Sequence, residues 1–271
     1  MAHPAPVSVL AERSGVTITR SGDTVTKAHA AGTDTAALTA RIRLAAHPAL
    51  ADVLLPPLPP AEVTTWHDGR AATRWPYGTP IDPAAGAVPW AEAGALLARL
   101  HTTPLAALSG APLPPSGAPA RILATLPGTL RALPRTPLTA ALERVLAATA
   151  TVAATGRALC HGDFHLGQLV RTGGAWHLID VDDLGAGDPA WDLARPAAWY
   201  AAGLLPPEDW SAFLHAYRPG WDPWPSVDVP ARLMTAHTVA RALTHAEEAQ
   251  RPLTEEELAL ADASFRISRL S

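Results

Sequence analysis

The sequence predicts an α+β fold with two lobes, in which a small antiparallel β-rich lobe with one helix precedes a larger, mainly helical lobe. Three observations predict it. Short alternating segments fill the first 80 residues, a connector rich in Pro and Gly occupies residues 76–89, and helical periodicity dominates after it. With 271 residues the chain is long enough for two unequal lobes. We expect an N-terminal lobe over residues 1–80 and a C-terminal lobe over residues 81–271.

The N-terminal elements follow from alternation and turn residues. The segments "VSVLAER", "VTITR" and "TVTKAHA" are separated by Gly-containing breaks, which predicts a three-stranded antiparallel meander. Residues 34–46 place Leu38, Ile42 and Ala45 on one helical face, and Asp34 suits the N-cap. The stretch "EVTTWHDGRAATRW" predicts a hairpin that turns at Asp68-Gly69 and completes a set of about five strands.

The second part of the chain shows helical signals. Apolar residues at helical spacing, caps and a capping box predict helices over 90–101, 136–155, 207–217, 230–250 and from 254 onward. In the second of these, the expected buried stripe includes Leu142, Val145 and Val152. The Pro-rich residues 104–119 predict an irregular loop.

The composition excludes several classes of protein. An apolar fraction of 48% with 17% charged residues is typical of a globular protein rather than a disordered one. A net charge of −4 argues against binding to nucleic acid, and the longest apolar runs are too short to span a membrane. A single cysteine and a start without a leader-like pattern favour the cytoplasm. The oligomeric state is not predicted.

A polar cluster interrupts the apolar pattern at residues 160–170, "CHGDFHLGQLV". The hairpin that follows turns at Gly173-Gly174 and ends at Asp180, so the carboxylate of Asp180 is expected to return close to Asp163 and Gln168. Carboxylate and amide oxygens are hard ligands of the kind that suits Mg²⁺. The sequence therefore predicts a magnesium site at the base of this hairpin.

The same stretch carries a resemblance. Over about 35 residues it has the order H-G-D-x-H-x-x-Q, an apolar strand that ends in I-D, and then G-D-P-x-x-D-L-A. This resembles the aminoglycoside phosphotransferase and choline kinase-like family, whose fold is similar to that of protein kinases. The glutamine at Gln168, where most relatives have asparagine, looks like the subgroup that includes certain sugar kinases.

The resemblance implies an ATP-dependent kinase of small molecules, with GTP as a possible donor. It implies that Asp163 orients the acceptor hydroxyl and takes its proton, while Gln168 and Asp180 hold Mg²⁺. It implies that Lys27, the only lysine among the 21 basic residues, contacts the α- and β-phosphates. Gly15, between the first two strands, is the candidate for the phosphate loop.

Further residues near the cluster are candidates for supporting roles, either around the catalytic groups or in the acceptor site: His161, His165, Asp182 and Asp183. An aminoglycoside or aminosugar is the expected acceptor, because acidic residues near the site would offer negative charge to ammonium groups; these are Asp182, Asp183 and Asp188.

The lysine has no obvious partner. In kinase-like folds a glutamate on the N-lobe helix pairs with it, but residues 34–46 contain no glutamate. Either another acid such as Glu12 holds Lys27, or the affinity for nucleotide is weak.

Two alternatives remain open at this point. One is a kinase-like binding protein with weak catalysis. The other is a metal-dependent hydrolase that binds Zn²⁺ through His161, Asp163 and His165, because an H-x-D-x-H pattern on an extended strand would put all three side chains on one face.

Overall fold

The structure is a computed structural model that describes residues 6–82, 86, 88–108, 110, 113–149 and 156–269. Its N-terminal part contains five strands: β1 (Val7–Arg13), β2 (Val16–Ser21), β3 (Thr24–Ala28), β4 (Thr64–Thr65) and β5 (Ala71–Pro76). They form one antiparallel sheet in the order β1-β2-β3-β5-β4, so β3 lies at its centre. The predicted meander and hairpin are confirmed.

One helix, α1 (Thr35–Ala45), accompanies this sheet. The side chain of Asp34 accepts hydrogen bonds from the backbone N–H groups of Ala36 and Ala37, which satisfies two donors that the first helical turn leaves unpaired. The apolar face predicted for this helix is buried. Both the helix and its cap are therefore confirmed.

The second part is mainly helical, with α2 (Trp90–Thr102), α3 (Gly117–Ala132), α4 (Pro137–Ala148), α5 (Ala190–Ala202), α6 (Pro207–Tyr217), α7 (Trp224–Glu248) and α8 (Glu255–Ile267). Two small sheets accompany these helices. Strands β6 (Thr79–Pro80), β8 (Leu169–Thr172) and β9 (Ala175–Leu178) form one, and β7 (Ala158–Cys160) pairs with β10 (Gly185–Gly187) in the other. The α+β fold class with a small β-rich lobe and a helical lobe is confirmed, while the boundary between residues 80 and 81 stays a prediction.

Helix α3 was not predicted, and the irregular loop expected over 104–119 is only partly correct. A short 3₁₀ turn occupies Leu105–Leu108, and α3 already begins at Gly117. Two prolines and two glycines in 117–132 conceal the helical signal, because these residues are poor helix formers. The helix is stabilised instead by packing, since Ile122, Leu126 and Leu130 recur at every fourth position and are buried.

Two other helix boundaries differ from the expectation. Helix α4 ends at Ala148 rather than at residue 155, and Val152 lies outside the described residues. Helix α7 begins at Trp224, six positions before the predicted start, because Pro225 is compatible with the first helical turn. None of the described helices combines the length with the apolar character that crossing a membrane requires.

Candidate active site

Lys27 lies on the central strand β3 and points to the face of the sheet that meets the second part of the chain. Its Nζ lies 2.7 Å from Oδ1 of Asp180 and 2.8 Å from Oδ2 of Asp182. Burial by itself lowers the pKa of this ammonium group, but the two carboxylates outweigh burial and raise the pKa above its usual value. Lys27 is therefore charged, and it holds two acids that follow strand β9.

Asp182 is held from a second side by His29, whose Nδ1 lies 3.3 Å from Oδ2. The other nitrogen of His29 meets the hydroxyl of Thr73 at 2.9 Å, and the indole N–H of Trp75 donates to that same hydroxyl. Burial alone raises the pKa of Asp182, but the hydrogen bond from His29 and the charge of Lys27 hold the pKa well below its usual value. Asp182 is thus a fixed anion.

This arrangement answers the question of the lysine's partner. Glu12, suggested from the sequence, is an exposed residue of β1, so that suggestion is wrong. The acids that pair with Lys27 are Asp180 and Asp182. Arg41 of α1 instead donates its Nε hydrogen to the backbone oxygen of Leu184, so the helix contacts the segment that carries the acids.

Asp180 and Gln168 lie in the wall of one cavity of about 390 Å³ between the sheet and the hairpin. Lys27 lines it too, together with apolar side chains from both parts of the chain, namely Ile18, Val25, Leu55, Trp75, Val170, Ile179 and Val181. The backbone of Asp180 is left-handed (φ 62°, ψ 71°), a strained conformation for a residue with a side chain. The residues predicted to hold the metal and the phosphates are therefore brought together.

The donor atoms fit a magnesium ion. Gln168 lines the cavity, its side-chain amide lies 3.2 Å from Nε2 of His165, and the amide oxygen can bind a cation when it is turned toward the cavity. One oxygen of Asp180 receives Lys27, and its other oxygen can act as the second ligand. A carboxylate and an amide oxygen beside a cavity suit Mg²⁺, which keeps several waters and phosphate oxygens as its remaining ligands.

Gly15 lies outside the wall of this cavity. It occupies the turn between β1 and β2 with a φ of +75°, and its backbone oxygen accepts a hydrogen bond from Arg70 at 2.6 Å. Its contact with a phosphate stays a prediction.

The loop that carries Asp163 is anchored by a buried carboxylate on α5. Asp192 accepts the backbone N–H groups of His161 at 2.6 Å and of Gly162 at 2.7 Å, and it also accepts Nε2 of His101 at 2.9 Å. The ring of His161 donates from Nε2 to the backbone oxygen of Ile179 at 2.7 Å. These bonds tie the loop to α5 and to the hairpin, as expected for a supporting role of His161.

Asp163 itself contacts two arginines from the helical part. Its Oδ1 lies 2.8 Å from Nη2 of Arg195 on α5 and 3.4 Å from Nη2 of Arg121 on α3. Burial raises the pKa of Asp163, but Arg195 and Arg121 outweigh burial, and the pKa lies below its usual value. Both arginines were missed by the sequence analysis, Arg121 because the helix that carries it was not recognised.

The remaining acids are also paired. Asp183 receives Nη1 of Arg121 in an ion pair, and Oδ1 of the buried Asp188 accepts the backbone N–H of Ala190 at the start of α5. Asp182, Asp183 and Asp188 therefore already have partners within the protein, through tertiary contacts that the sequence does not reveal. Their contribution of negative charge to an acceptor site stays a prediction.

The three residues of the zinc alternative do not converge. His161 binds Ile179, Asp163 binds arginines, and the Nδ1 of His165 accepts the backbone N–H of Gly167. Within the described ranges, the group whose ligand atoms come together is His101, Cys160 and Asp192, in which the carboxylate is already used by the loop. The structure gives no support to a zinc site at 161–165.

Comparisons with known proteins agree with this picture. Residues 16–228 match the family model described as "Phosphotransferase enzyme family". No curated protein is significantly similar to the chain in sequence.

Solved structures share the fold at low identity. A choline/ethanolamine kinase family protein from Mesorhizobium loti is 19% identical, with a TM-score of 0.65, over 98% of this chain and 87% of that one. The GDP complex of aminoglycoside 2'-phosphotransferase-IIIa is 17% identical, with a TM-score of 0.66, over 97% and 93%. The macrolide 2'-phosphotransferase MphH from Brachybacterium faecium is 19% identical, with a TM-score of 0.55, over 95% and 91%.

Proposed function

Because the chain belongs to the phosphotransferase enzyme family, we propose that it transfers the γ-phosphate of ATP to a hydroxyl of a small polar acceptor. The observation that carries this proposal is the convergence of Lys27, Gln168 and Asp180 in one cavity. That set offers a cation for phosphate oxygens and two oxygen ligands for a metal. A neighbour in fold binds GDP, so GTP is the second donor to test.

Each residue of the cavity would have a separate role in binding the nucleotide. Lys27 would bind the α- and β-phosphates, and Gln168 and Asp180 would hold Mg²⁺, which neutralises charge on the phosphates when it is bound. The apolar side chains in the cavity wall, such as Val25 and Trp75, would pack against the base and exclude water.

Asp163 would orient the acceptor. Both arginine contacts go to Oδ1, and within the described part of the chain no hydrogen bond is made to Oδ2. The acceptor hydroxyl would donate to Oδ2 while its oxygen attacks the γ-phosphorus. The bond from phosphorus to that oxygen forms, the bond to the β-bridging oxygen breaks, and the proton passes to Asp163 as ADP leaves. A carboxylate with a lowered pKa is a weak base, so its main contribution would be orientation.

The relatives in fold differ in the acceptors for which they are named. They are named for choline or ethanolamine, aminoglycoside and macrolide acceptors, and choline, ethanolamine and the aminoglycosides share a cationic nitrogen as well as a hydroxyl. The aminoglycoside or aminosugar expectation depended on acids that are paired in this structure. The kinase-like binding protein with weak catalysis depended on a lysine without a partner, whereas Lys27 has two.

The test is turnover of Mg·ATP and Mg·GTP, read as nucleoside diphosphate release across a panel of hydroxyl acceptors. Asp163→Asn should lower turnover by about 10²–10⁴-fold while nucleotide affinity stays within about twofold. Asp180→Asn should remove the dependence of nucleotide binding on Mg²⁺. The exposed Asp262 of α8 gives the matched control, Asp262→Asn, which should behave like the wild type. Full turnover by Asp163→Asn, or a wild type that binds neither nucleotide, would overturn the proposal.

A further inference from the structure

Positive charge surrounds the carboxylate that faces the acceptor. Arg121 projects from α3 and Arg195 from α5, and their guanidinium groups meet at Oδ1 of Asp163. Both side chains are partly open to solvent, 35% for Arg121 and 24% for Arg195. Both arginines are therefore accessible to a ligand, and neither lines the cavity that contains Lys27.

A third arginine belongs to the same cluster. Arg241 is exposed on α7, and it lies four positions after the buried His237, so the two share a helical face. Arg241 adds to the positive potential at Arg195, whose pKa is lowered first by burial and then by Arg121 and Arg241. We call Arg121, Arg195 and Arg241 the arginine cluster.

Two of the three arginines are paired with acids. Arg195 and Arg121 share Oδ1 of Asp163, and Arg121 also pairs with Asp183. Arg241 adds a third positive charge that acts on Arg195 and on His237, so the three arginines outnumber the two carboxylates they surround. The buried His237 beside the cluster does not alter this balance at neutral pH, because burial, followed by the arginines, lowers its pKa to about 4.

Arg195 is also incompletely compensated. Its Nε is buried and has no hydrogen-bond partner among the described residues, although Nη2 is bound to Asp163. A buried N–H without a partner is costly, and an anion bound by the accessible part of the same guanidinium group would help to stabilise this arginine. Asp163 cannot be that anion alone, because its one contacted oxygen is shared by both arginines.

We propose that the acceptor carries an anionic group, a carboxylate or its equivalent, which the arginine cluster binds while the acceptor hydroxyl lies against Asp163. The inference depends on the proposed phosphotransferase function and specifies its substrate class. Arg is well suited to this task, because its planar fork binds a carboxylate in a bidentate manner. A cationic acceptor would be repelled by the same cluster.

The arginines have one competing use, which is to stabilise the transferring γ-phosphoryl group. If the cluster binds the γ-phosphate, a bound nucleotide with a γ-phosphate should prevent an anionic acceptor from binding there. If the cluster binds the acceptor, both should bind at the same time. The experiment is therefore a calorimetric titration of the wild-type protein saturated with Mg²⁺ and a non-hydrolysable ATP analogue that retains a γ-phosphate. The probes are glucuronate, glucose and glucosamine, which share one ring and differ in charge, together with the smaller pair glycerate and glycerol.

A preference of at least about tenfold for a carboxylate probe over its neutral counterpart would support the inference. Arg195→Gln should abolish that preference. Arg241→Gln should reduce the preference by about two- to fivefold. Because Arg241 is exposed, this variant is expected to fold like the wild type. Arg232→Gln, on the same helix but paired with Asp228, is the matched control and should leave the preference unchanged.

Three results would overturn the inference: equal or tighter binding of the neutral or cationic probes, no binding of either carboxylate, or loss of carboxylate binding when the analogue is present. The last result would assign the cluster to the γ-phosphate. Binding of the ATP analogue is measured in the same titration. If the analogue does not bind, the proposed function is contradicted; if it binds but the carboxylate probes do not, only the acceptor inference is contradicted.

Discussion

Lys27 and Asp182 form an ion pair, with 2.8 Å between Nζ and Oδ2, across 155 positions of the chain. The acid lies two residues after Asp180, so one lysine joins the central strand of the sheet to the turn that follows the hairpin. Kinase-like folds usually pair this lysine with a helix glutamate. Here a residue of the turn does so, and it brings His29 into the same network.

Removing the charge of Asp182 should weaken nucleotide binding. In Asp182→Asn, Lys27 keeps only Asp180, which would then be shared between the lysine and the metal. We expect the KM for ATP to rise by about fivefold, equivalent to about 1 kcal/mol, a value reduced for the partial exposure of Asp182. Steady-state kinetics with varied ATP measures it. Asp262→Asn is the control, and an unchanged KM would show that Asp182 does not position Lys27.

Asp192 should be essential for the loop that carries Asp163. Its two oxygens accept two backbone N–H groups and His101, and its side chain is buried. In Asp192→Asn one oxygen becomes a donor and opposes a backbone N–H, so we expect a loss of about 2–4 kcal/mol in the free energy of unfolding. Urea denaturation measures it. Asp228→Asn, which removes a partly exposed i,i+4 ion pair on α7, should cost under about 1 kcal/mol. Equal losses in the two variants would contradict the anchoring role.

Gly162 and Gly174 give a matched pair for the packing of the loop. Their φ angles are +85° and +88°, so alanine carries similar backbone strain at both positions, about 1–2 kcal/mol. A Cβ on Gly162 would also meet the backbone oxygen of Asp183, whereas a Cβ on Gly174 meets nothing within 4 Å. We expect Gly162→Ala to lose clearly more stability and turnover than Gly174→Ala. Thermal denaturation of both variants checks this, and similar melting temperatures would refute the close packing.

Acid should destabilise the protein between pH 6.5 and 4. The folded-state pKa of His237 is about 4, below the ordinary value of 6.5, so in this window the unfolded chain binds more protons and stability falls as pH decreases. At pH 5 the contribution of His237 is about 1–2 kcal/mol. His237→Gln should show a smaller loss between pH 7.5 and pH 5 than the wild type in urea denaturation. The exposed His245 of the same helix is the control: His245→Gln should keep the wild-type dependence. An identical dependence in all three proteins would contradict the shift.

Much of the local structure could be predicted from the sequence because its causes are local. The meander followed from alternation and glycine turns, α1 from its apolar face and Asp34, and the return of Asp180 toward Gln168 from a short hairpin. Helix α3 was missed because Pro119 and Pro127 weaken the local signal, and its burial against other helices compensates for them. The start of α7 was placed too late for a similar reason.

What the sequence by itself determined is the order of the elements and the set of polar residues in the loop and hairpin, since spacing along one chain segment restricts where a turn can bring them. Only the tertiary structure decided the partners. Asp182 reaches Lys27, Asp192 reaches the loop backbone, and Arg195 reaches Asp163 between elements that are 30 or more positions apart. These contacts form when elements that are distant in sequence bury their apolar faces against each other. This packing brings charged side chains that are separated in the extended chain into ion pairs and hydrogen bonds.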